Sequence, residues 1–114
     1  MAADVYYRYC ARADLLNDHA CLPNPVTFRL IEWEHAFSHE DAGRQVNEKG
    51  AIVPLCWWSH EGPGKNKEIA KWIAVNRMTA EEMARYPMTD WQQIKKHLNS
   101  LHGVPDWSAV TPPF

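Results

Sequence analysis

The hydrophobic period of this chain changes once, near residue 60, and that change limits the folds open to it. Before it, three short stretches alternate. VYYRYCAR (5–12) puts Val5, Tyr7, Tyr9 and Ala11 on one face and Tyr6, Arg8, Cys10 and Arg12 on the other. Alternation rich in aromatic and β-branched residues reads as a strand. VTFRLIEWE (26–34) sets Thr27, Arg29, Ile31 and Trp33 against Phe28, Leu30, Glu32 and Glu34. Neither of its faces is purely apolar, so this strand is expected to be covered on both sides for part of its length. AIVPLCWW (51–58) is the third; Pro54 lacks a ladder donor and puts it at a sheet edge or a bulge. Read as strand, the Trp57-Trp58 pair sends its two indoles to opposite faces.

Beyond residue 60 the period is helical. In NKEIAKWIAVNR (66–77), Ile69, Trp72 and Ile73 share a face, and Asn66 is placed to cap the first turn. Thr79 and Glu82 form a Thr-x-x-Glu capping box that opens a short helix, ended by Pro87. Thr89 and Gln92 repeat the device ahead of DWQQIKKHLNSLH, where Trp91, Ile94, Leu98 and Leu101 make a clean stripe before Gly103 and Pro105 stop it. Between the strands, Leu15 and Leu16 offer a short helical turn, and Ser38 with Asp41 marks a helix start. That helix, expected over 39–49 with Gly50 as its stop, has only Ala42 and Val46 as an apolar face. Gly43 costs it about 1 kcal/mol relative to Ala.

Strands followed by helices indicate an α+β fold: a small three-stranded, antiparallel sheet in the N-terminal half, packed against C-terminal helices. With 114 residues the chain fits one globular domain, 1–114, with a Pro-rich tail at 103–114. No apolar run approaches the roughly 18 residues that span a bilayer, so no membrane partner is expected. MAADVYYRYCARAD has no apolar run behind a basic start, so no signal peptide is expected. The three Cys are an odd set without paired spacing, which favours reduced thiols and a cytoplasmic location.

Three chemistries compete with plainer readings. LCWWSHEGPGKNKEIAKW (55–72) has the order of a phosphate-binding loop. However, Asn66 follows Gly64-Lys65 where a hydroxyl is needed, and Ser59 stands where the first glycine belongs. The plainer reading is a Gly-Pro-Gly turn leading into a helix. A metal-assisted hydrolase would use His35, His39, Cys56 and His60, spaced four apart in two pairs, with zinc as the metal. No Cys-x-x-Cys or His-Glu-x-x-His motif supports that set, so no cofactor is expected first. Nucleic-acid binding would use Arg8, Arg12 and Arg29 with Tyr6 as a stacking surface, and the net charge of −2 opposes it.

The favoured reading is a small domain that binds another protein with a basic surface, for example an inhibitor occluding a groove of nucleic-acid-processing machinery. Six Trp are more than one small interior readily hides, and Trp is a hot-spot residue. Trp57, Trp58 and Trp107 are the expected anchors. Glu32, Glu34, Glu40 and Asp41 are expected to form an acidic patch that complements the partner.

Overall fold

The structure is a computed structural model that describes residues 10–16 and 31–106. It is α+β, with an antiparallel pair of strands and several helices. In chain order these are α1 (Ala11–Leu16), β1 (Ile31–His35), α2 (His39–Ala42), a 3-10 turn (Lys49–Ala51), β2 (Ile52–Cys56), α3 (Trp57–His60), α4 (Lys67–Arg77), α5 (Ala80–Ala84) and α6 (Trp91–His102). The chain divides into two compact units. The first takes its described residues from 10–16, 31–34, 54–66 and Asp106; the second comprises His35–Val53 and Lys67–Pro105.

Among the described residues the sheet has two strands, not three. Most of the strand expected over 5–12 lies outside them, but its end is corrected. Ala11 and Arg12 open α1, where Leu15 and Leu16 carry the helical turn onward. The strand expected over 26–34 is present over its described part, extended by one residue to His35. The third is present as β2, whose five residues are all buried, Pro54 included. It stops at Cys56, two residues earlier than the alternation suggests, so Trp57 and Trp58 sit in a single helical turn.

In the second unit, α2 is shorter than expected. Gly43, at φ +76°, takes the left-handed conformation that ends a helix, and its N–H donates to the His39 carbonyl at 2.9 Å. Val46, half of the weak apolar face, is fully buried outside the helix instead. α4 begins one residue after Asn66 and buries Trp72 and Ile73, as its spacing requires. The start of α6 is corrected by one residue. The cap is Asp90, whose carboxylate accepts from the Gln93 N–H at 3.0 Å, a stronger acceptor than the Thr89 hydroxyl. Trp91 and Leu98 of the stripe are buried, while Leu101 is exposed. Gly103 ends α6 at φ +84°, and its carbonyl accepts the Trp72 indole N–H at 2.7 Å.

The first capping box is formed and does more than cap. The Glu82 carboxylate accepts from the Thr79 N–H at 2.8 Å and, with its other oxygen, from the N–H of buried Gly50 at 3.0 Å. A side chain at Gly50 would come within 2.7 Å of the Met78 Cα, so this backbone meets the start of α5 too closely for any residue with a Cβ. Burial pushes the Glu82 carboxyl up, but the Thr79 and Gly50 donors and Arg85 outweigh it and hold its pKa below the usual value. A depressed carboxyl contributes stability above its unfolded pKa, about 4.3, and loses it as pH falls through the lower folded value. Glu82→Ala is expected to cost about 2 kcal/mol at pH 7, from the lost cap and the orphaned Gly50 donor. Denaturant titrations of wild type and variant should converge as pH is lowered below about 4.

Candidate functional site

The first unit holds the site, built on the turn that follows β2. Trp58 folds back on the Gly62-Pro63-Gly64 segment. A Cβ at Gly64 would lie 2.0 Å from the Trp58 ring, so only glycine permits this approach. The Arg12 guanidinium lies 5.4 Å from the centre of the Trp58 ring, and its Nη1 donates to the Gly64 carbonyl at 2.5 Å. Indole, guanidinium and glycine backbone therefore form one cluster. The backbone donors of the loop are spent inside it. Gly64 N–H donates to the Trp58 carbonyl and Lys65 N–H to the Gly62 carbonyl, both at 3.0 Å. A phosphate cradle needs such donors turned toward the ligand, so the turn reading is the one the geometry supports.

This arrangement separates the two indoles. Trp58 is half-buried in the cluster, while Trp57 is 51% exposed, the only large exposed hydrophobic side chain among the described residues of the first unit. Trp33 is half-buried, and Trp72 and Trp91 are buried in the second unit. Trp107 lies outside the described residues.

His60, at the end of α3, stands between two glutamates of β1. Its Nδ1 is 2.7 Å from Glu32 Oε1, and its Nε2 is 3.8 Å from Glu34 Oε2. Glu32 and Glu34 are two apart in a strand, so both carboxylates leave the same face and flank one ring. Glu34 is 5% exposed, so its carboxylate is held in the interior of the unit beside the ring. Glu61, exposed and next in sequence to His60, completes a group with Glu32 and His60 whose donor atoms lie within 4.8 Å of one another.

The expected site residues are thus redistributed. His60 is in the cluster, but Cys56 is not part of it. The Cys56 thiol is buried and donates to the Ser59 hydroxyl at 3.8 Å. His35 and His39 belong to the second unit, and residues 36–38 between them are not helical, so the shared helical face assumed for them does not form. Of the four acidic residues expected to meet a partner, Glu34 is buried and Glu32 faces His60, while Asp41 in the second unit is bound by Lys71 at 2.7 Å and by the Ser38 N–H at 3.0 Å. Burial raises the Asp41 carboxyl, but Lys71 and Ser38 outweigh it and hold it below its usual value. Glu40 alone of the four is exposed. Arg12 packs on Trp58 from a helix instead of lining a strand face. Arg8, Arg29 and Tyr6 lie outside the described residues.

Glu61 is the member the sequence reading missed. It follows His60 directly, but Glu32 lies 29 residues away in sequence and no local spacing signals that the two meet. The second unit has a cleft of about 540 Å³ over Phe37, Ile94 and Leu98, within the size range of small-molecule pockets. Its two lysines are engaged, Lys71 by Asp41 and Lys67 by the His35 carbonyl at 2.9 Å. Among the described residues no helix is long and apolar enough to cross a membrane. No known protein family, curated protein or solved structure matches this chain.

Proposed function

We propose that this chain is a small protein-binding domain that contacts its partner through Trp57, and that the partner presents a basic surface there. The observation that carries the reading is the different exposure of two adjacent indoles. Both rings lie against the glycine loop, Trp58 at Gly64 and Trp57 at Gly62, but Trp58 is half-buried there whereas Trp57 is 51% exposed. A rigidly mounted, exposed Trp is the commonest kind of interface anchor, because it brings large contact area at little entropic cost. Exposed Glu61, four residues along the same turn, supplies negative charge beside it, which favours a cationic partner. Capping such a surface would inhibit a partner that works through a basic groove, as nucleic-acid-processing machinery does.

Retention of native extract proteins on immobilised wild type and Trp57→Ala tests this. A bound protein is expected on wild type at low salt, weakened at high salt, insensitive to nuclease and reduced at least 10-fold by Trp57→Ala. Equal recovery on both columns overturns the assignment. Recovery that nuclease abolishes would point to the nucleic-acid reading instead.

A further inference from the structure

We propose that Glu32, His60 and Glu61 bind one divalent transition-metal cation, with zinc as its probe. The donor set is one imidazole and two carboxylates, both zinc-ligand types, and three protein ligands leave a fourth position for water or an incoming ligand. The donor atoms lie within 4.8 Å of one another. Bonds of about 2.1 Å at a tetrahedral angle require neighbouring ligand atoms about 3.4 Å apart. The Glu32–His60 pair, at 2.7 Å, has to open a little to admit the ion, and Glu61 has to turn toward it; Glu61 is exposed and Glu32 half-buried, so both side chains have room to move.

A second observation comes from the far side of the ring. Metal-binding histidines usually have their other nitrogen oriented by a carboxylate, which fixes the tautomer and the ring plane. Here Nδ1 faces Glu32, and Nε2 faces the buried Glu34 at 3.8 Å. With a metal on Nδ1, the Nε2–H is left to point at Glu34. Glu34 acts here as a positioning residue, not a ligand.

This inference goes beyond the partner-binding reading and does not depend on it. The full chain, stripped with chelator, is titrated with zinc against a chromophoric competitor. One equivalent bound with a dissociation constant of micromolar or tighter is expected. His60→Gln and Glu32→Gln should weaken it at least 10-fold, while Glu34→Gln should keep the stoichiometry and weaken it about 10-fold. Nitrogen NMR of the wild-type histidines gives a readout that needs no variant: the His60 resonances should move with the first equivalent. No stoichiometric binding, or binding that persists in folded His60→Gln, overturns the proposal, as does a first equivalent that moves only other histidines. Zinc lost from His60→Gln with partner retention unchanged would separate this site from the Trp57 surface.

Discussion

Trp91→Ala is expected to lower the unfolding free energy by about 4 kcal/mol, the largest single effect on this chain. Trp91 is buried at the start of α6. Its ring meets Phe37 edge-on at 5.1 Å and Tyr86 edge-on at 6.1 Å between centres, so its removal strips two aromatic contacts at once. Its indole N–H also donates to the Met83 carbonyl at 3.0 Å, tying α6 back to the end of α5. Truncation leaves a cavity against Phe37 and releases that carbonyl. Native domains hold about 5–15 kcal/mol in total, so most of the margin goes. For a domain of this size, Tm should fall by roughly 20 °C. Trp91→Phe keeps the aromatic contacts and loses only the hydrogen bond and part of the area. It should cost less than half as much. Chemical denaturation of both variants checks the partition, and equal losses would mean that the hydrogen bond, not the ring, dominates.

Gly64→Ala is expected to cost about 3 kcal/mol, although it adds a single methyl group. The reason is the 2.0 Å separation between that methyl and the Trp58 ring. Either the indole leaves its place or the turn opens, and the Arg12 hydrogen bond to the Gly64 carbonyl is disturbed in both cases. Because the cost arises from one contact, it should be non-additive. In a Trp58→Leu background the methyl has room, and Gly64→Ala should then cost less than 1 kcal/mol. An unchanged cost in the double variant would place the strain in the backbone instead of the ring contact.

These two sites differ in how far the sequence announced them. The stripe of Trp91, Ile94, Leu98 and Leu101, with its capping signals and Gly103, made α6 legible to within a residue, because helix period and end chemistry are local. Thr79 and Glu82 were legible for the same reason. The reach of Glu82 to Gly50 was not, since that bond joins residues 32 apart. The alternation runs two residues past the end of β2 because Trp57 and Trp58 have high strand propensity; the tight approach of Trp58 to Gly64 overrides it, and propensity does not encode that contact. α2 failed to extend because Gly43 adopts a left-handed conformation and Val46 finds burial without helix. For the candidate site, period two placed Glu32 and Glu34 on one face, but nothing in the spacing indicated His60 as the group they enclose. His35 and His39 looked like a pair only under the assumption of a helix between them.

Site-specific photocrosslinking tests the central claim, that Trp57 is a recognition residue, most directly. A benzophenone amino acid is placed at position 57 and, as a control, at position 88, where Met88 is 94% exposed in the second unit. Illumination in native extract should yield a discrete protein adduct from position 57, absent from position 88, and lost when Glu61 is replaced by Lys. No adduct at position 57, or the same adducts from both positions, would contradict the account.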